Sequence, residues 1–99
     1  MPYRIEYSPE VETHLRFLTV RQRNMVLDGV LRHLSLQPKV ETQNRKRMRP
    51  NLLATWELRI GAMRIFFDIQ DEPEQIVFIR AVGVKEGNRL RIEGKEIIL

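Results

Sequence analysis

Residues 56–67, Trp-Glu-Leu-Arg-Ile-Gly-Ala-Met-Arg-Ile-Phe-Phe, leave a folding chain little choice. Two runs alternating apolar and polar residues meet at Gly61-Ala62, and Gly at the first loop position suits a type II′ hairpin turn. That turn pairs Ile60 with Met63, Arg59 with Arg64, Leu58 with Ile65, Glu57 with Phe66 and Trp56 with Phe67. Because strand side chains alternate, Trp56, Leu58, Ile60, Met63, Ile65 and Phe67 share one face, which must be a core face. The other face sets two arginines directly opposite each other. Such like-charge pairs destabilise a sheet, by up to about 1 kcal/mol. A compensating anion is therefore expected, either the Glu57 carboxylate or a bound phosphate.

The flanking segments extend this hairpin into a domain. Tyr3, Ile5 and Tyr7 alternate with charged residues and predict a short first strand. Ser8-Pro9-Glu10 opens a helix, with Ser8 as N-cap and Val11, His14, Leu15 and Leu18 as its apolar stripe. A second helix is expected over 21–36, with Leu27, Val30, Leu31 and Leu34 as its stripe and Gly29 allowing the two helices to approach closely. Gln37-Pro38 ends it. Residues 39–50 show neither helical nor strand period and read as an exposed loop. Strands follow over about 53–60, 63–70 and 75–82. Ile76-Val77-Phe78-Ile79 is apolar on both faces, as in a central strand. After Gly83 the tail alternates and turns at Glu93-Gly94, as a small hairpin or an irregular arm. The predicted fold class is α+β: one domain over 1–99, order β-α-α-β-β-β, with an antiparallel sheet packed by an N-terminal helical hairpin.

Charge is unevenly spread. The net charge of +4 is concentrated in residues 45–64, which hold six Lys/Arg against one Glu. Arg45, Lys46, Arg47 and Arg49 form the densest cluster. A basic window of this kind points to a polyanionic partner, nucleic acid or an acidic peptide, or else to a solvated basic loop. The cluster has no interleaved aromatics, so base stacking is not suggested there. Cysteine is absent, which excludes disulfides. No apolar run is long enough to suggest a membrane span or secretory leader, so the cytoplasm is the expected compartment. His14 and His33 fall on helices and read as structural. No His or carboxylate grouping has metal-ligand spacing, and no cofactor is expected.

The element order, the segment from Asn51 to Ile60, the second strand from Met63 to Phe67, and Ala81-Val82-Gly83 followed by Lys85 resemble the RelE/ParE superfamily of bacterial type II toxins. The resemblance spans nearly the whole chain. It implies a toxin held inactive by a cognate antitoxin, whose acidic segment would cover the basic face. Two activities occur on this fold. RelE-like members cleave messenger RNA on the ribosome without a metal; ParE-like members poison DNA gyrase. The RelE-like reading is favoured here, with a gyrase poison or an inactive antitoxin-binding module as the alternative.

Cleavage without a metal requires a base for the 2′-hydroxyl, an acid for the leaving 5′-oxygen and cations for the phosphorane. The resemblance assigns charge stabilisation to Arg64, with Arg59 assisting. Some relatives carry lysines as base where Thr55 and Glu57 stand; others carry a glutamate where Lys46 stands. Glu57 or Lys46 is therefore the candidate base. The tail lacks the His or Tyr that serves as acid in many relatives, which leaves Lys85. Arg45, Lys46, Arg47 and Arg49 are the expected RNA contacts. Phe66, on the arginine face, is expected to stack on a base or lie under the antitoxin.

Overall fold

The computed structural model describes residues 2–99. Strand β1 (Arg4–Tyr7) leads into helices α1 (Pro9–Arg16) and α2 (Val20–Leu34). Six strands follow: β2 (Arg45–Arg47), β3 (Trp56–Ile60), β4 (Met63–Gln70), β5 (Ile76–Glu86), β6 (Arg89–Ile92) and β7 (Lys95–Ile97). All belong to one sheet, ordered β2-β3-β4-β5-β6-β7. The exception to its antiparallel pairing is β1, which runs parallel to the first half of β5, pairing Arg4–Tyr7 with Ile76–Ile79. Among the described residues no helix is long and apolar enough to cross a membrane.

The β3–β4 hairpin has the expected register at all five pairs. Gly61 takes φ 56° while Ala62 stays in the ordinary negative region, the signature of the II′ turn. Its apolar face joins Val11, Val26, Val30 and Leu34 of the helices in the main core.

Helix α2 meets that core on a different stripe from the predicted one. Val26, Gly29, Val30 and Leu34 are buried, whereas Leu31 is 60% exposed. Gly29 explains the rotation. A Cβ there would lie 1.9 Å from Ile60 Cδ1, so the missing side chain lets β3, rather than α1, pack close. The helix also starts one residue earlier, on a capping box between Thr19 and Gln22. Ser8 stands at the N-cap of α1, but its hydroxyl donates to Arg80 O instead of capping the helix.

Along its outer edge, β5 is paired first with β1 and then, from Val84 onward, with β6. Helix α1 fills the gap between them. Ser8 N–H donates to Ile79 O, and Val82 N–H donates to His14 Nδ1 at 3.2 Å. His14 Nε2 lies 3.3 Å from Glu93 Oε1, in the turn between β6 and β7. One neutral imidazole thus closes the strand edge and holds the tail hairpin. Glu93 has φ 55°, a left-handed conformation costly for a non-glycine residue, and this contact offsets the cost.

Burial pulls the His14 pKa below its ordinary 6.5, against the raising effect of Glu93, and His33 is lowered by burial and by Arg45. The native state therefore takes up these protons less readily than the unfolded chain. Stability is full above about pH 6.5 and falls as pH drops through that value toward the lower native pKa. Urea midpoints should decline between pH 7 and 5. In a His14→Gln variant the decline should shrink; an unchanged slope would remove His14 from this role.

The tail is the small hairpin, with a two-residue turn at Glu93-Gly94 in which both residues have positive φ. It curls across the sheet face opposite the helices. There Leu90 and Ile92 cover Phe66 and Ala81, with Met48, Leu53, Ala54 and Ile97 at the margin. Gly83 makes this approach feasible: a Cβ would stand 2.6 Å from Arg91 O and 2.8 Å from Ile92 Cγ1. Gly83→Ala is expected to lift β6 and cost about 1–3 kcal/mol. Amide exchange at 89–97 would report the displacement, and wild-type protection there would contradict it.

Candidate functional site

The face of the sheet opposite the helices carries the residues singled out by the sequence. Arg59 and Arg64 are cross-strand partners as expected, but their guanidinium groups take different routes. Arg59 Nε donates to Glu57 Oε1 at 2.8 Å, so Glu57 is the compensating carboxylate for that arginine. Arg64 turns back on the hairpin, donating to Gly61 O at 2.8 Å and Met63 O at 2.9 Å. Its buried Nε has no partner. Burial lowers the Arg64 pKa from the usual guanidinium value, Arg59 adds to the shift, and Glu57 opposes it. An incoming anion would relieve both the unpaired donor and the desolvation.

Two hollows meet at Glu57. The outer, about 680 Å³, is lined by Lys46, Arg47, Arg49, Asn51, Glu57 and Arg59. The inner, about 290 Å³, is lined by Glu57, Arg64 and Lys85 together with residues of the tail hairpin. Lys85 belongs here because β5 runs on past Gly83 to Glu86, four residues beyond the expected strand end, so that Lys85 falls on the same face as Ala81 and Gly83. The two candidate bases are also neighbours, since Lys46 pairs directly with Glu57 across β2 and β3.

The basic segment departs from its expected form. Residues 45–47 are a strand paired to β3, not part of a loop. Its outer edge is already occupied: Thr42 Oγ1 accepts from Arg45 N–H, and Glu41 Oε1 accepts from Arg47 N–H. Arg45 is 9% exposed and donates to His33 O and Gln37 O, both at 2.5 Å. It neutralises the carbonyl end of α2 and ties β2 to it, so it is removed from the set of RNA contacts. Lys46, Arg47 and Arg49 remain exposed.

Phe66 is a second correction. It is fully buried under the tail hairpin and is available neither to a base nor to a partner. Strand alternation put it on the arginine face correctly, but could not tell that the tail returns to cover it.

Among the described residues, Lys46, Arg47, Arg49, Arg64 and Lys85 take part in no ion pair, whereas the other face and the rim are laced with them. Arg16, Arg21, Arg23 and Lys95 are unpaired elsewhere, and what sets the two hollows apart is that five such cations gather on their walls. The sequence reading missed Asn88 and Glu96 in the inner one. Gly87-Asn88 is a two-residue turn signal that would have placed Asn88 at a hairpin tip; nothing local marks Glu96.

No protein-family model and no curated protein matches the sequence. Among solved structures, the chain is similar to the toxin–antitoxin complex RelBE2 from Mycobacterium tuberculosis. The TM-score is 0.74, with 26% sequence identity, covering 86% of this chain and 93% of that one. The α+β fold with its helical pair and antiparallel strands agrees with that neighbour, and the likeness supports the resemblance to RelE-like toxins carried by the sequence.

Proposed function

We propose that this protein is the toxin of a type II toxin–antitoxin pair and acts as a metal-independent, ribosome-dependent messenger RNA endoribonuclease. The observation that carries the reading is the inner hollow, whose lining includes a carboxylate, a guanidinium with an unpaired donor and an ammonium. Glu57 is the base, held in place by Arg59, and takes the 2′-hydroxyl proton. The 2′-oxygen attacks phosphorus, and Arg64 stabilises the phosphorane oxygens through its planar donors. Lys85 gives a proton to the departing 5′-oxygen. Lys46 lines only the outer hollow and serves there, with Arg47 and Arg49, to hold flanking phosphates. The likeness to a toxin–antitoxin complex supports a cognate antitoxin as partner, and the same unbalanced cations suit an acidic segment of it.

The second reading is a gyrase poison or an antitoxin-binding module without nuclease activity. It is favoured by the tail, which has no His or Tyr after Gly83. Expression without antitoxin, followed by mapping of message 5′ ends, separates the two. Codon-phased cuts support the nuclease. Intact messages with a DNA-damage response overturn it in favour of gyrase.

A further inference from the structure

At the end of the sheet away from the β3–β4 turn, β4 outruns its partner. Ile60 and Met63 flank the two-residue turn and exchange hydrogen bonds, so bonded pairs recur at Leu58–Ile65 and Trp56–Phe67. The next would be Ala54 with Ile69. It does not form, because the Asn51 side chain takes both Ala54 groups. Asn51 Oδ1 accepts from Ala54 N–H at 3.1 Å, and Asn51 Nδ2 donates to Ala54 O at 3.0 Å. On its other side β4 bonds to β5 through Asp68 and Gln70, which alternate with Ile69. Among the described residues, the N–H and C=O of Ile69 therefore have no partner. Ile69 lines a third hollow, of about 510 Å³, which shares Arg47 with the outer one.

Phe78 and Arg80 line this third hollow as well. The Arg80 guanidinium lies over the Phe78 ring, 5.0 Å from its centroid. Asp68 holds it there, accepting from Arg80 Nε at 2.9 Å, while its other oxygen accepts from Thr55 N–H at 2.8 Å. Even so clamped, Arg80 leaves 44% of its side chain exposed. Because Asp68 already matches its charge, this guanidinium offers a flat surface more than a free cation.

We infer that this hollow takes one unpaired RNA base, its edge on the N–H and C=O of Ile69, its ring against the Arg80 guanidinium and its phosphate on Arg47. Unpaired bases are bound in this way, by hydrogen bonds along the edge and stacking on an aromatic ring or a guanidinium plane. Each of the four bases carries an N–H beside an acceptor, so a backbone donor and acceptor together match all of them. The site therefore grips a base without choosing among bases. Its volume lies within the range of small-ligand sites, roughly 300 to 1,000 Å³. An extended acidic peptide could also pair with Ile69, but it would make no use of a flat guanidinium whose charge is already matched. The assignment takes RNA as the ligand from the nuclease reading, and Ile69 and Arg80 have no part in cleavage.

The test is a titration of the ¹⁵N-labelled protein with a 2′-O-methyl RNA hexamer, which has no free 2′-hydroxyl to attack, and with an abasic phosphodiester of equal length. The hexamer is expected to bind about three- to tenfold more tightly, the worth of one or two hydrogen bonds, and to move the amide signals of Ile69 and Phe78. Arg80→Lys keeps a charge beside Asp68 but removes the flat surface. It should remove most of that advantage while leaving the abasic strand bound as before. Arg47→Ala should weaken both strands alike. Both arginines are exposed, and the amide spectra of the variants check their folding. Equal binding of the two strands, no binding of either, an unmoved Ile69 amide, or affinities untouched in the variants overturns the inference. So does a hexaglutamate peptide that moves Ile69 where the RNA does not, which would give the open strand edge to an acidic protein partner. Message-end mapping judges the nuclease reading independently. Codon-phased cuts with a failed titration remove this site alone, and a bound hexamer without cuts keeps the site and removes the nuclease.

Discussion

Arg64→Ala is expected to abolish growth arrest while leaving the fold intact. The native contacts of this guanidinium are two carbonyls at the exposed hairpin tip. Losing them costs about 1 kcal/mol, the net worth of ordinary hydrogen bonds. Its proposed role is far more demanding. Removing one preorganised donor from a developing oxyanion lowers rates by about 10²–10³, and Arg64, unlike Arg89 in the same hollow, takes part in no ion pair. Arg64→Lys should recover part of the effect at most, since an ammonium restores charge but not the planar fork. Growth curves after induction, with thermal melts of the purified variants, check both halves. Undiminished arrest by a folded Arg64→Ala protein would take the residue out of the mechanism.

The largest effect on stability is expected at Phe66. Its ring is fully buried between the sheet and the tail hairpin, in a cluster of few members. Truncation to alanine should cost about 3–5 kcal/mol, from lost burial and the cavity left behind. For a domain whose total stability is about 5–15 kcal/mol, that is a large share. The damage should also be local. Residues 89–97 should lose amide protection first, because the main core around Leu58, Ile65 and Phe67 lies across the sheet and keeps its own packing. Denaturant titration and hydrogen exchange measure the two parts. A loss under about 1 kcal/mol would mean that the tail is held by its backbone pairing alone. The tail also forms the second wall of the inner hollow, so the variant should lose activity in step with its protection.

What could be read from residues alone was local and periodic. The β3–β4 hairpin carries its own instructions, an alternation of period two and a glycine where the turn requires positive φ, and its register and the facing of Arg59 and Arg64 follow from them. The helices, the order of elements and the tail turn at Glu93-Gly94 had similarly local signals. Arg45–Arg47 had none. Three consecutive cations show no period, and they become a strand only because β3 offers an edge and the end of α2 offers carbonyls to Arg45. The α2 stripe depended on a distant partner, since Gly29 acquires meaning only where Ile60 arrives.

Local pattern alone therefore set which strands pair at the centre, which side of them is oily, and that two arginines face one another on the other side. Tertiary structure decided how each of those charges is spent. It gave Glu57 to Arg59, left Arg64 without a carboxylate, buried Arg45 against a helix end and folded the tail over Phe66. The physical reason is range. Side-chain alternation and turn conformation are set by neighbours along the chain, whereas burial and charge pairing depend on segments that meet only after the chain has folded.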